Sequence, residues 1–245
     1  MKGTISISCL GSFGRFGNQL FQWAFAKGYA ESVGATLETP WWAGQALFDI
    51  NDPPISKHLP SLNIDEHPNG RVDIDLYGYF QRSDFYKSYT LTKLRQWFKV
   101  SQFWHDKFPK PDHHTVALHI RRGDYLTTFS HIFCAIGIEA YRKAMVDAGY
   151  DLDKAIQVRE DRPTHYPLPG LEFMTDFMSL YNADVLFRAN STFSWWAATL
   201  GHCGENVYSP VVEGLNGQKA DVPFIKGNWP RCVSMDSVSD YHIAP

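Results

Sequence analysis

The feature that most constrains this chain is an apolar run that ends in two arginines. The run Val116–Ile120 has the composition of a buried strand, and the polar segment Arg121–Asp124 follows it directly. Open α/β sheets bind ligands at the carboxyl ends of their strands, and guanidinium groups there can form bidentate hydrogen bonds with a phosphate or carboxylate. The pattern predicts an anion site. The alternative is an Arg–Asp pair that clamps a loop, with His119 as a hydrogen-bonded core histidine.

Strand and helix patterns alternate through both halves of the chain, which indicates an α/β protein with parallel sheets. The predicted strands are Thr4–Cys9, Ala35–Thr39, Arg71–Phe80, Val116–Ile120, Ala155–Val158, Ala183–Ala189 and Asn206–Pro210. The predicted helices are Asn18–Val33, Ser83–Lys99, Ile138–Met145, Phe173–Asn182 and Ser194–Leu200. The polar, proline-bearing segment Pro109–His114 is predicted to be a linker.

Composition excludes several classes of protein. A formal net charge of -3 argues against a general nucleic-acid binder. The four cysteines are scattered without a Cys-x-x-Cys pair, so neither a disulfide framework nor a zinc site is implied. No apolar run approaches the length of a membrane span, and Met1–Thr4 leads into a strand pattern rather than a signal peptide. We therefore expect a reduced, cytoplasmic protein, without a membrane span.

Two strand-to-helix junctions are candidate phosphate sites. The glycine-rich turn Gly11–Gly17 precedes the first predicted helix, so backbone N–H groups and a helix N-terminus come together. The turn Ser191–Ser194 places hydroxyl groups before the last predicted helix. Each also has a structural explanation, because glycines permit a tight βα turn and Ser191 or Thr192 can cap the helix.

The sequence offers little for a metal. Asp73 and Asp75 match the Asp-x-Asp pattern of metal-dependent sugar transferases, but so short a match is common, and we expect both on a solvated strand edge. The histidines show no ligand spacing. Asp124, Glu160 and Asp161 are acid/base candidates only if they lie near the arginines. No metal and no other cofactor is expected.

Three segments together resemble a known family. Gly14–Ala26 resembles the N-terminal motif of α-1,2-fucosyltransferases, and its Gly-Arg-Phe-Gly-Asn-Gln core is also similar to protein O-fucosyltransferases. His119–Tyr125 is similar to the signature shared by α-1,2-, α-1,6- and protein O-fucosyltransferases. Asn190–Ala198 resembles the late Asn-Ser-Ser-Phe-Ser-Trp-Trp-Ala-Ala motif of the α-1,2 group, and Gly78–Gln81 fits as well. The long motifs occur in the family's order across most of the chain.

The resemblance implies a GT-B fold, with two Rossmann-like domains whose parallel sheets face an interdomain cleft. Residues 1–112 would form the acceptor-side domain and residues 113–245 the nucleotide-sugar-binding domain. It also implies GDP-fucose as the donor, inversion at the anomeric carbon and no metal requirement. The partners would be the nucleotide sugar and a glycan acceptor, and the oligomeric state is left open.

Residue roles follow from the matched motif positions. Arg121 would contact the β-phosphate and stabilise the departing GDP, and Asn18 would reach the donor from the first domain. In place of the family's usual Phe-Ser-Asp-Asp segment this chain has the altered segment Val158–Asp161, and its Asp161 would contact guanine. The remaining donor-binding residues would be Gly17, His119, Arg122, Asp124, Ser191, Thr192, Phe193 and Ser194.

The implied activity is transfer of fucose to a glycan hydroxyl, in α-1,2 linkage to galactose. One alternative is a protein O-fucosyltransferase, which Gly14–Gly17 suggests. Another is a non-catalytic protein that binds a sugar nucleotide or a glycan, which the altered Val158–Asp161 segment suggests. Intact Arg121, Arg122 and Asn18 argue against the second alternative. Asp124, Glu160 and His131 all stay open as the acceptor base.

Overall fold

The computed structural model describes residues 2–82, 85–86, 88–159, 172–212 and 217–227. Glu160 and Asp161 lie outside the described residues. The chain forms two compact units, which divide between Ser101 and Gln102. The domain boundary expected between residues 112 and 113 stays a prediction, because packing units need not coincide with domains.

The first unit contains a parallel three-stranded sheet. Its strands are β1 (Thr4–Ser6), β2 (Thr36–Glu38) and β3 (Ile74–Asp75), in the order β2-β1-β3. Its helices are α1 (Phe16–Ser32), α2 (Gly44–Leu47) and α3 (Leu91–Trp97). Thirteen of the seventeen residues of α1 are buried, so this helix is apolar around most of its circumference and packs as a core element.

The second unit is built on a five-stranded sheet. Four parallel strands, β4 (Val116–Ile120), β6 (Ile156–Arg159), β7 (Val185–Phe187) and β8 (Val207–Pro210), are joined by an antiparallel edge strand, β10 (Phe224–Lys226). The order is β10-β8-β7-β4-β6. A separate parallel pair joins β5 (Cys134–Ile136) to β9 (Gly217–Lys219).

The described residues of the second unit form four α-helices: α4 (Gln102–Lys107), α5 (Ile138–Asp147), α6 (Phe173–Tyr181) and α7 (Thr192–Leu200). Its core includes Leu118, Ile120, Tyr141, Val185 and Phe187, which are at most 1% exposed. Because β4 lies between β7 and β6, the segments that follow these three strands share one edge of the sheet. None of the helices among the described residues is long and apolar enough to cross a bilayer.

Most predicted elements occur in the structure, some with shorter bounds, such as Thr4–Ser6 for the predicted strand Thr4–Cys9, and two in the first unit are wrong over most of their length. The predicted strand Arg71–Phe80 is wrong outside Ile74–Asp75, because Asp73, Gly78 and Phe80 have φ angles of +57°, +153° and +51°, which no strand can hold. The predicted helix Ser83–Lys99 is too long. It begins only at Leu91, where the hydroxyl oxygen of Thr90 accepts a hydrogen bond from the Lys93 N–H.

Candidate functional site

Arg121 is held in place at the carboxyl end of β4. Its Nη2 donates to Asp124 Oδ1 at 2.6 Å, and the two side chains are only 11% and 20% exposed. The Arg121 guanidinium carbon also lies 5.0 Å from the centre of the Tyr125 ring. The short 3-10 helix Gly123–Tyr125 brings both partners back to the arginine. The ion pair and the ring fix the guanidinium in one orientation. A loop clamp and an anion site both require this, so the contact is compatible with either interpretation.

The turn between β7 and α7 is a capped helix N-terminus. Ser191 is the N-cap, and its Oγ accepts a hydrogen bond from the Phe193 N–H at 3.3 Å. The buried Ser194 hydroxyl donates to the carbonyls of Ala189 and Ser191, at 3.4 Å each. Thr192 begins the helix. This turn combines ordinary N-capping with a helix N-terminus, where the macrodipole favours negative charge.

The arginine segment and the serine turn lie side by side in the second unit. Strands β4 and β7 are parallel neighbours, with Leu118 opposite Phe187. The Tyr125 hydroxyl donates to the Asn190 carbonyl at 3.1 Å, and the rings of His119 and Phe193 are 5.6 Å apart. The structure therefore brings together His119, Arg121, Asp124 and Ser191–Ser194, which the sequence places about 70 residues apart.

His119 is neutral in this cluster. The side chain is 3% exposed, and burial, with smaller contributions from the positive charges of Arg121 and Arg188, lowers the pKa of His119 to about 3. Its Nδ1 atom is buried and has no hydrogen-bond partner among the described residues. A neutral imidazole beside two guanidinium groups adds no further charge, and it can still form a hydrogen bond with a ligand.

Sequence reasoning missed Arg188, which directly follows β7. The residue is completely buried, and its Nε donates to Ser209 Oγ at 2.7 Å while Nη1 donates to the Ala189 carbonyl at 2.9 Å. Arg159 ends strand β6 on the other side of β4, opposite Ile120. Three adjacent strands are therefore followed or ended by arginines, so this edge of the sheet is positively charged. The sequence signal for this residue is an arginine at the end of an apolar run. The predicted strand Ala183–Ala189 includes Arg188, so the residue was not considered as a site residue.

The glycine-rich loop of the first unit is held by amide side chains. Gln19 Nε2 donates to the Gly14 carbonyl at 3.1 Å, and Gln22 Nε2 donates to the Phe13 carbonyl at 2.9 Å. Gly14 has a φ of +77°, which favours glycine. Arg15, the N-cap of α1, makes no side-chain capping bond. Gly17 lies in the first turn of this helix.

Asn18 packs in space between Gly14 and Gln81. Gln81 Nε2 donates to Asn18 Oδ1 at 3.0 Å, which orients the amide of Asn18. A Cβ atom on Gly14 would lie 2.8 Å from Asn18 Nδ2 and 2.9 Å from Asn18 Cβ, so the absence of a side chain at Gly14 makes room for Asn18. Both contacts belong to segments that carry the family resemblance, Gly14–Ala26 and Gly78–Gln81.

The expectation that Asp73 and Asp75 both lie on a solvated edge is wrong for Asp75. Asp73 is exposed, and a hydrogen bond from Lys57, together with one from the Thr4 N–H, lowers its pKa. Asp75 is only 7% exposed, and its buried carboxylate accepts hydrogen bonds from Ser6 and Ser8. The two carboxylates have different partners, and no group of three or more potential metal ligands occurs among the described residues.

Comparison with known proteins identifies the fold. No family model and no curated protein sequence matches the chain. A crystal structure of NodZ α-1,6-fucosyltransferase soaked with GDP-fucose matches with a TM-score of 0.52 at 14% identity, covering 92% of this chain and 99% of that one. NodZ co-crystallised with GDP gives 0.53 at 14% identity, and the fucosyltransferase NodZ from Bradyrhizobium gives 0.52 at 12% identity, with the same coverage. The chain therefore has the α/β GT-B fold that these fucosyltransferases share.

Proposed function

We propose that this protein transfers fucose from GDP-fucose to a hydroxyl group of a glycan, with inversion and without a metal ion. The observation that carries the proposal is the convergence of Arg121, neutral His119 and the Ser191–Ser194 turn at one edge of the second unit's sheet. The fold likeness to NodZ, which was co-crystallised with GDP and soaked with GDP-fucose, supports a nucleoside-diphosphate sugar as the donor.

The charges of the cluster suit a diphosphate leaving group. In the reaction, the bond between the anomeric carbon and the β-phosphate oxygen breaks, and GDP leaves with that electron pair. The acceptor oxygen forms the new bond from the opposite face, and its proton passes to a base or to solvent. Arg121 and the N–H groups at the start of α7 would stabilise the negative charge that develops on GDP, which is the role a divalent ion has in metal-dependent transferases.

The ion pair between Arg121 and Asp124 gives the acidic residue a role in this scheme. Asp124 Oδ1 accepts a hydrogen bond from Arg121 Nη2, so it would hold the guanidinium in position for the phosphate. Arg122 is half-buried beside it and is proposed to hold the nucleotide. Gly17 and Asn18 are proposed to complete the donor site from the first unit, and Asp161 to contact guanine.

The α-1,2 linkage to galactose is the finer part of the proposal. Its support is the resemblance of Gly14–Ala26 and Asn190–Ala198 to the α-1,2 group. Localisation in the cytoplasm likewise stays a prediction. A protein O-fucosyltransferase would act on a folded protein instead of an oligosaccharide, so the choice of acceptor distinguishes the two enzymes.

The experiment is to incubate purified protein with a panel of nucleotide sugars, with and without EDTA, and to measure the nucleotide released. We expect GDP from GDP-fucose alone, faster when lactose is added and unchanged by EDTA. Release from a UDP-sugar that EDTA abolishes would contradict the proposal and redirect attention to metal chemistry. Binding of GDP-fucose without any release of GDP would indicate a non-catalytic binder.

A further inference from the structure

A pocket of about 600 Å³ lies at the carboxyl end of the first unit's sheet. Its lining residues come from the ends of two parallel strands and from one loop: Ser8, Cys9, His58, Leu59, Pro60, Ser61, Asp75 and Tyr77. Its size is that of a small-molecule site, and parallel sheets bind ligands at this end. From its lining we propose that the pocket binds the ring of a neutral sugar, with Asp75 and Tyr77 as the recognising side chains.

Asp75 provides a hydrogen-bond acceptor with spare capacity. Its Oδ1 accepts from Ser6 Oγ and the Ser8 N–H, both at 2.8 Å, and within the described ranges its Oδ2 accepts only from Ser8 Oγ, at 2.6 Å. An ionised carboxylate has about four acceptor positions, so one position on Oδ2 is available for a ligand O–H group. Hydrogen bonds to an ionised acceptor are roughly twice as strong as neutral ones.

The same carboxylate decides which ligands are disfavoured. Among the described residues, its hydrogen-bond donors are hydroxyl and amide groups, and no lysine or arginine forms an ion pair with it. No ion pair within the described part of the chain neutralises the negative charge of Asp75, which therefore disfavours a phosphate or a carboxylate. A neutral molecule rich in hydroxyl donors fits this electrostatic environment.

Tyr77 provides a flat apolar surface in the same pocket. Its ring is stacked on Phe13 with centroids 5.1 Å apart, and Phe13 is stacked on Tyr79 at 4.3 Å. Tyr77 is 37% exposed although it belongs to this stack. An aromatic ring that is held in a stack and is still partly exposed suits the apolar face of a pyranose. A carboxylate acceptor beside such a ring favours a sugar over an anion or a purely apolar ligand.

This inference rests on the proposed function only for the identity of the sugar, which would be the galactoside acceptor. The test is direct binding of lactose to the purified full chain, measured by saturation-transfer NMR and calorimetry, with chitobiose as a second probe. We expect wild-type protein to bind lactose, and Asp75→Asn and Tyr77→Ala to raise its Kd at least tenfold. Tyr77→Phe, which keeps the ring, is expected to recover most of the affinity.

The matched control is Asp73→Asn, because Asp73 precedes Asp75 by two residues but is exposed and does not line the pocket. Thermal unfolding of each variant separates a lost contact from a lost fold, and Tyr77→Ala keeps the test valid if Asp75→Asn destabilises the Ser6–Ser8 segment. Equal lactose affinity in wild type and both pocket variants would overturn the proposal, as would the absence of binding to either sugar. Binding of chitobiose alone would keep the sugar pocket and reject the galactoside. Binding of lactose by a protein that releases no GDP from GDP-fucose would reject the proposed function and leave the pocket intact.

Discussion

The two strand-to-helix junctions that are candidate phosphate sites are polar for different reasons. In the second unit, the polarity comes from the side chains themselves: Ser191 caps α7, and the guanidinium of Arg121 follows the adjacent strand. In the first unit, the junction before α1 has no side-chain cap, and two glutamine amides hold the backbone of the glycine-rich loop. One junction presents charge and hydroxyl groups, whereas the other depends on backbone conformation and close packing.

This difference suggests that the two units have different roles in the proposed reaction. The second unit carries the positive charge that a diphosphate requires, and most of the binding energy for the donor is expected to come from it. The first unit carries no comparable cluster at its junction in residues 8–18. It instead presents the oriented amide of Asn18 and, separately, the pocket lined by Asp75, and both suit hydroxyl groups. Substitutions in the second unit should therefore impair charge stabilisation, and substitutions in the first should impair geometry.

The largest effect is expected from removing the charge at the second junction. Arg121→Ala should reduce fucosyl transfer about a hundredfold to a thousandfold, equivalent to about 3 kcal/mol, because the developing charge on GDP loses a positioned donor. Arg121→Lys should also fail if the contact is bidentate. The measurement is kcat/KM for GDP-fucose. Arg142→Ala is the control, since Arg142 belongs to the same unit but pairs on the exposed surface with Glu139. Near-normal transfer by Arg121→Ala would remove the proposed role.

Close packing at the first junction should give the next largest effect. Gly14→Ala should lower the free energy of unfolding by about 2–3 kcal/mol, because a left-handed conformation is strained and the new Cβ overlaps Asn18. Gly34→Ala is the matched control. Gly34 has a φ of +65°, but apart from its chain neighbours no described residue has an atom within 4 Å of the position that a Cβ would take, so it should show the conformational strain alone. Urea unfolding of both variants measures the difference, and equal losses would show that the close approach of the new Cβ to Asn18 and to Tyr79 Cε1, at 2.9 Å, has no cost.

The elements around these junctions were predictable to different degrees. The strand Val116–Ile120 was predicted with its observed bounds, because an apolar run with polar residues at its end has few alternatives in a globular core. Helix α7 was also found, two residues longer than expected. Its boundary depends on capping by Ser191, and the sequence left open whether this serine would cap the helix or bind a ligand.

The failures have physical causes that a pattern of polarity cannot reveal. Alternation predicted a long strand at Arg71–Phe80, but the backbone leaves the strand region at Asp73 and again at Gly78. Asp75 was wrongly expected to be solvated. Its hydrogen-bond donors belong to Ser6 and Ser8, nearly 70 residues away, and the local sequence gives no sign of them. The polarity pattern could not reveal Arg188, because an arginine whose Nε donates to the distant Ser209 has the same sequence context as any residue beside an apolar strand.

Protonation of the buried histidine should give an intermediate effect at the second junction. Burial lowers the pKa of His119 to about 3 in the folded protein, whereas the unfolded value is 6.5. Below pH 6.5 the unfolded chain binds a proton that the folded chain does not, so stability is lost as the pH falls. Between pH 6.5 and pH 5 the loss should be about 1–2 kcal/mol. Urea unfolding over this range should show a shallower pH dependence for His119→Gln, and identical slopes would contradict the neutral assignment.

The smallest effect separates capping from ligand binding at the serine turn. Ser191→Ala should lower the free energy of unfolding by about 1 kcal/mol, because the Phe193 N–H loses its acceptor. Thr90→Ala removes an equivalent cap from α3 in the first unit, where Thr90 accepts from the Lys93 N–H at 3.2 Å. Both variants should lose similar stability, but only Ser191→Ala should weaken GDP binding, which calorimetry can measure. If the two variants bind GDP equally well, the Ser191 hydroxyl serves the helix alone, and the polarity of the second junction would depend on its arginines and backbone N–H groups.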